Sequence, residues 1–245
     1  MNLYEKFAHI KQLTDSIGLI YGTEDFSVYL YSLIKMRRPK TVVELGTGVG
    51  SSTLWSALAI EENGFGTIFT VDDGSEWERL GQVSSRFRSF YDEDYAKYIR
   101  NLINTFQFQD QIRFINERMD VVDIDETIDI LFSDFAHSAF DIAKLFVQYL
   151  PKMSESSLIF IDSVPTNYSS MSMLEKTIDL FNSNQVPRSL LELSSNPEEL
   201  KRIVSDHEFR LESIIENKDR AQNSTAMVKM TPIDVFPYPR TNIKL

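Results

Sequence analysis

Five short apolar segments alternate with stretches of helical periodicity through the middle of the chain, and this alternation is its strongest constraint. The segments are TVVEL (41–45), TIFTVDD (67–73), IRFIN (112–116), IDILFSD (128–134) and SLIFIDS (157–163). β-Branched and aromatic residues fill them, as pleated, half-buried surfaces require. The unbroken apolar character of 128–134 predicts burial on both faces. Around them, apolar residues recur every three or four positions. Leu54, Trp55, Leu58 and Ala59 form one such series, and Tyr91, Tyr95, Tyr98, Ile99, Leu102, Ile103 and Phe106 a second. Phe140, Ala143, Val147 and Leu150 form a third, read as an inward face. Strands alternating with helices predict an α/β fold with a parallel sheet, right-handed crossovers and helices on both faces.

The two ends of the chain differ from this pattern. Residues 2–36 read as helices, with Leu3, Phe7, Ile10 and Ile17 at helical spacing and FSVYLYSLIKM (26–36) following, until Pro39 stops them. Residues 164–208 read as a loop and two helices, near 171–183 and 196–206. FRLESIIE (209–216) and STAMVKM (224–230) read as two strands, and TPIDVFPYPRTNIKL (231–245) as an extended Pro-rich tail. There is no internal repeat and no linker that splits the chain.

Composition narrows the chemistry. The 245 residues are 42% hydrophobic, enough for one well-buried core. No apolar run reaches the length of a membrane span, and MNLYEKFAHIKQL lacks the apolar core of a signal peptide. The absence of cysteine excludes disulfides, Cys-ligated zinc, iron–sulfur clusters and thiol nucleophiles. A cytoplasmic protein fits these features. The net charge of −11 disfavours a nucleic-acid partner, because phosphates demand a basic surface. KMRRPK (35–40) is too short to supply one and reads as a solvated helix end. A small-molecule substrate is the better expectation.

The first strand runs into VVELGTGVGSSTL (42–54). Glycines at Gly46, Gly48 and Gly50 let the backbone take positive φ and pass close to a ligand. The dinucleotide fingerprint G-x-G-x-x-G would place its third glycine at position 51, which is Ser51. Ser51 and Ser52 are candidates to cap the next helix. Asp72 and Asp73 end the second strand, where one carboxylate can accept bonds from two vicinal hydroxyls. The competing reading of DDG (72–74) is a plain turn.

The layout, with Glu44 two residues ahead of Gly46 in an E-x-G-x-G-x-G pattern, resembles the class I S-adenosylmethionine-dependent methyltransferases. Within them it is most similar to the small-molecule, catechol-type O-methyltransferases. The resemblance spans about residues 38–230. It implies a Rossmann-like, doubly wound seven-stranded sheet, mostly parallel, closed by an antiparallel β6–β7 hairpin from 209–230. It also implies a single domain over 1–245. A helical cap would cover 1–38, a cofactor-binding half 39–163, and a substrate-side half with hairpin and tail 164–245. Ligands in such sheets lie beyond the carboxyl ends of the strands. Five polar groups follow strands here: Glu44–Ser52, Asp72–Asp73, Glu117–Asp120, Asp134–His137 and Asp162–Asn167.

What the resemblance implies for function is methyl transfer from S-adenosylmethionine to a small molecule, most often at oxygen. The alternatives are N-methylation of an amine or peptide, and a catalytically silent partner protein. Cofactor contacts are implied for Glu44, Gly46, Gly48, Gly50, Ser52, Asp72, Asp73, Arg118, Met119 and Asp134. Ser52 would meet the methionine carboxylate, a ligand that a helix N-terminus suits. Asp72, or its neighbour Asp73, would hold the ribose, and Arg118 and Met119 the adenine.

DILFSDFAHSAF (129–140) carries the implied chemistry. His137 stands where that family places a lysine base, and histidine can do the same work near neutral pH. The competing reading is that His137 caps the helix or bonds a backbone carbonyl. Asp134 and Asp162 match family ligands for Mg2+, but the family's Asp-Asn pair here reads Asp162-Ser163. With Ser163 or Asn167 as further donors a metal could be held; the reading adopted is that none is obligatory. Two further signatures are missing: the Asn/Asp-Pro-Pro-aromatic run of base amino-methyltransferases, and the cysteine of cytosine C5 enzymes.

The acceptor pocket is expected from the N-terminal helices, 75–98 and 164–190. Trp77, Phe90, Tyr91, Tyr95 and Tyr168 are candidate lining groups, with Tyr91 and Tyr95 read first as core packing. Phe236 and Tyr238 of the tail are candidates to cover the site or a second copy in a homodimer, with ordinary surface packing as the equal reading.

Overall fold

A computed structural model describes residues 1–17, 24–78, 94–119, 122, 124–135, 137–215 and 224–233. Asp120, Phe90, Tyr91, Phe236 and Tyr238 lie outside the described residues. Two helices, α1 (Leu3–Ile17) and α2 (Glu24–Arg37), precede β1 (Thr41–Leu45), α3 (Ser51–Asn63) and β2 (Thr67–Val71). Then come α4 (Tyr95–Phe106), β3 (Ile112–Ile115), β4 (Ile128–Ser133), α5 (Ala139–Tyr149) and β5 (Met153–Asp162). The chain continues through α6 (Tyr168–Asn182), α7 (Arg188–Leu193), α8 (Pro197–Asp206), β6 (His207–Ile215) and β7 (Ser224–Pro232). The strands form one seven-stranded sheet in the order β3-β2-β1-β4-β5-β7-β6. The first five are parallel; β7 runs antiparallel to both β5 and β6.

Period-two alternation distributes the strand residues between two cores. Val42, Ile130, Phe132 and Phe160 pack on one face with Phe26, Leu30 and Ile34 of α2 and Trp55 and Leu58 of α3. Val43, Leu131, Ile159 and Ile161 pack on the other with α5, α6 and α8, through Ile142, Phe146, Leu174, Phe181 and Ile203. Both faces of the central strands are therefore covered, which explains their continuous apolar sequences. Helix α3 is apolar nearly all round because α1 and α2 pack over it from outside.

Two expectations need correction. The inward face of α5 is Ile142, Ala143, Leu145, Phe146 and Tyr149, with Leu150 after it; of the expected set Ala143 and Leu150 are buried, while Phe140 is 56% exposed and Val147 only half-buried. Both sets repeat at helical spacing, and the one with greater apolar volume takes the core. Phe140 instead stands in the first turn with the Lys144 ammonium over its ring. The segment after β5 holds three helices rather than two, since Arg188–Leu193 forms a short one on Leu190. Among the described residues, no helix is long and apolar enough to cross a membrane.

Candidate active site

Parallel register brings the strand ends together. Leu45 lies beside Val71 and Ser133, and Ser133 beside Ile161. The next residues, Gly46, Asp72, Asp134 and Asp162, therefore leave the sheet side by side. Backbone bonds fasten these exits: Gly46 N–H donates to Val71 O at 2.9 Å, and Asp134 N–H to Leu45 O at 2.8 Å.

The glycine turn fills the gap above β1. Gly46 has φ +99°, and a Cβ there would stand 2.9 Å from the Asp134 carbonyl oxygen. Only glycine allows that approach. Gly50, at φ +84°, is the N-cap of α3 and makes no side-chain cap bond. This corrects the expectation that Ser51 or Ser52 caps the helix: both lie inside its first turn. The Ser52 hydroxyl instead points down and donates to Glu44 Oε1 at 2.5 Å.

Glu44 does not line a cavity. It is 1% exposed beneath the turn, and three hydroxyls close on its carboxylate, from Ser52, Thr53 and Thr70. Thr47 joins this set through Thr70 at 2.6 Å. Burial pushes the Glu44 carboxyl up to about 7, against the opposing pull of the three hydroxyls, with Asp72 adding like charge. A folded-state value above the unfolded one means the native state holds this proton more tightly. Its stabilisation is full below about 4.5 and is lost as pH rises through about 7, on the order of 3 kcal/mol. Urea unfolding at pH 5 and pH 8 should therefore show a smaller stability difference for Glu44→Gln than for the parent. An equal difference would contradict the assignment.

Asp72 and Asp73 divide the work at the end of β2. Asp72 Oδ2 accepts the Gly48 N–H at 2.9 Å, and Oδ1 the Gly74 N–H at 2.8 Å. Burial raises its carboxyl, while these N–H bonds and Tyr95 lower it. A carboxylate has about four acceptor positions; with Gly48, Gly74 and Tyr95 on it, about one remains for a ligand. Asp73 lines a cavity of about 300 Å³ with Leu45, Arg118, Met119, Phe135 and residues of α5. Arg118 and Met119 thus line the same cavity as Asp73. The α5 contribution, Asp141, Lys144, Leu145, Gln148 and Tyr149, was missed. Its signal was a polar stripe at 141, 144 and 148, spaced as one helix face.

Asp134 belongs to a carboxylate–imidazole cluster. One ligand atom each of Asp134, His137 and Asp162 lies within 4.8 Å of the others. Asp134 and Asp162 also share a side-chain hydrogen bond. Burial raises the Asp162 carboxyl; bonds from Ser163 and Asp134 and the charge of His137 oppose this. His137 does not cap α5, a role taken by Ser138, whose Oγ accepts the Asp141 N–H at 3.2 Å. Its Nδ1 lies 3.2 Å from the Asp162 carbonyl oxygen. Donating there leaves the lone pair on Nε2. The His137 carbonyl is held in turn by Asn167 Nδ2 at 3.3 Å and by the Ser170 hydroxyl.

The remaining candidates fall elsewhere. Trp77 and Tyr95 are buried against α4 and the turn. Tyr168 is 86% exposed at the start of α6, close in sequence to the Asn167–His137 link.

Residues 43–164 match a family model described as a methyltransferase domain. No curated protein matches the chain. Among solved structures, an O-methyltransferase from Bacillus cereus, in complex with SAH, is 14% identical with a TM-score of 0.54. The match covers 93% of this chain and 91% of that one. A methyltransferase from Geobacter sulfurreducens is 14% identical, with a TM-score of 0.52 and coverage of 92% and 89%. The O-methyltransferase TomG from Streptomyces achromogenes, involved in tomaymycin synthesis and in complex with SAM, is 16% identical. Its TM-score is 0.50, with coverage of 94% and 89%. At these identities the likeness is one of fold.

Proposed function

We propose that the chain, whose residues 43–164 match the methyltransferase-domain model, transfers a methyl group from S-adenosylmethionine to an oxygen of a small-molecule acceptor. The observation that carries the reading is the juxtaposition at Asp134. Gly46 of the glycine turn packs on its carbonyl, its neighbour Phe135 lines a cavity of about 300 Å³ with Asp73, and its carboxylate joins the cluster with His137 and Asp162.

The cofactor would lie across the carboxyl ends of β1, β2 and β4. Asp72 and Asp73 take the ribose hydroxyls, and Arg118 and Met119 flank the adenine. Because Ser52 gives its proton to Glu44, the methionine carboxylate meets the first N–H groups of α3 rather than that hydroxyl. Glu44 acts from below, by fixing the turn. S-adenosylmethionine supplies an electrophilic methyl on a sulfonium. His137 Nε2 would take the proton of the acceptor oxygen as that oxygen receives the methyl group. The Asp162 carbonyl holds the ring for this step through Nδ1.

We read the cluster as acting without an obligatory Mg2+, an ion that takes six oxygens in a tight octahedron, commonly one or two carboxylates and several waters. Here the third donor beside Asp134 and Asp162 is an imidazole nitrogen. The Ser163 hydroxyl is spent on Asp162 Oδ2 at 2.5 Å. The Asn167 amide oxygen caps α6, accepting from the Ser169 hydroxyl at 2.9 Å and the Ser170 N–H at 3.4 Å. No step is therefore routed through a metal.

Transfer of labelled methyl from S-adenosylmethionine to a panel of phenols, alcohols, carboxylic acids and amines tests the reading. Labelled ethers or esters should form, and chelation with EDTA should leave the rate within about twofold. Product on amines alone would overturn the oxygen assignment. A loss on chelation that Mg2+ restores would overturn the metal-free one.

A further inference from the structure

The glycine turn is held from outside as well as from below. Helix α4 directs two phenols at consecutive turn carbonyls: Tyr95 OH donates to Gly48 O at 3.0 Å, and Tyr98 OH to Val49 O at 3.2 Å. The Asp72 carboxylate is also within hydrogen-bond reach of the Tyr95 hydroxyl, as an alternative acceptor of its one proton. Gly74 lies against the Tyr95 ring so closely that a Cβ would stand 2.5 Å from it. Trp77 packs on both rings, with centroids 5.3 Å from Tyr95 and 4.7 Å from Tyr98. Both tyrosines are buried, Tyr95 to 7% and Tyr98 to 4% exposure.

We propose that Tyr95 and Tyr98 are positioning residues for the cofactor, which fix the orientation of the Gly48 and Val49 peptides in the turn. The inference rests on the S-adenosylmethionine reading and extends it to helix α4. In a planar trans peptide the C=O and N–H point in opposite directions. Anchoring the Gly48 carbonyl toward α4 therefore fixes the Val49 N–H on the other side, and anchoring Val49 O does the same for the Gly50 N–H. The latter closes the turn on Thr47 O at 2.8 Å. Asp72 receives the Gly48 N–H of the same turn, so the acid at the ribose position and the turn share one support. A three-glycine turn has many accessible conformations of its own, and these contacts select one of them. Aromatic residues at helical spacing, read from sequence as packing, thus act on the turn through their hydroxyls.

Tyr95→Phe keeps the ring and its packing and removes only the hydroxyl. S-adenosylhomocysteine titrated calorimetrically into the parent, Tyr95→Phe, Tyr98→Phe and Tyr31→Phe separates the roles. Tyr31 is the control, because its phenol serves both Glu62 oxygens at 3.0 Å between α2 and α3, away from the turn. The Kd should rise about five- to tenfold in the Tyr95 and Tyr98 variants and stay unchanged in the Tyr31 variant. With saturating S-adenosylmethionine, kcat should stay within about twofold while KM for the cofactor rises with Kd. If the parent binds and the Tyr95 and Tyr98 variants bind equally well, the inference is overturned and the cofactor reading stands. If affinity falls as much in Tyr31→Phe, the hydroxyls act through general stability and the inference is likewise overturned. A parent that does not bind overturns both.

Discussion

Replacing His137 by alanine is expected to lower kcat on an oxygen acceptor by about 100- to 1000-fold, the range that a positioned general base contributes. The fold should survive. The bonds that tie this segment to α6, from Asn167 and Ser170, go to the His137 carbonyl and do not depend on its side chain. The cofactor cavity is lined by other residues, so affinity for S-adenosylhomocysteine should change by less than about twofold. Steady-state kinetics at saturating cofactor check both numbers together. An unimpaired variant would move the acceptor from oxygen to a deprotonated amine, which has no proton that must leave before attack.

Gly46→Ala carries the second large effect. The new Cβ would press on the Asp134 carbonyl at 2.9 Å and its carbon at 3.1 Å, both backbone atoms that cannot rotate away. The residue must also hold φ +99°, which costs an L side chain about 1 to 3 kcal/mol. Relief requires β1 and β4 to part at their ends, between the cavity and the His137 cluster. Stability should fall by about 2 kcal/mol. The kcat/KM for S-adenosylmethionine should fall on the order of 100-fold, the usual consequence of misplacing reacting groups by a fraction of an ångström to an ångström. Gly64→Ala is the control: that glycine caps α3 at φ +78° with nothing within 4 Å of its Cβ. It should lose stability without the loss in kcat/KM.

The sequence was most informative where one residue type allows one conformation, or where burial sets a period. The β1 segment 41–45 agrees with the structure at both ends, and the succession of strands along the chain was legible in apolar runs and turn residues, while the antiparallel closing pair was implied by the family resemblance. The polar groups Asp72, Asp134 and Asp162 were legible because they directly follow those runs. Side-chain direction was not. Glu44 and Asp73 both look like ligands of a turn, yet one is sealed below it and the other faces the cavity. That difference depends on strand register and on where Thr53 and Thr70 place their hydroxyls. The same holds for Ser52, whose helical position follows from the left-handed Gly50 ahead of it. Phe140 misled because α5 has two apolar stripes and only the neighbouring helices decide between them. Tyr95 and Tyr98 bond residues almost fifty positions away, a pairing no local pattern encodes.

Calorimetric titration with S-adenosylhomocysteine tests the central claim most directly, because it asks whether the turn and the cavity beside it hold an adenosyl amino acid. The account predicts saturable one-to-one binding, its loss in Gly46→Ala, and no heat with NADH. Absence of binding at about 1 mM ligand, a concentration that reveals even weak complexes, would contradict it, as would undiminished affinity in Gly46→Ala.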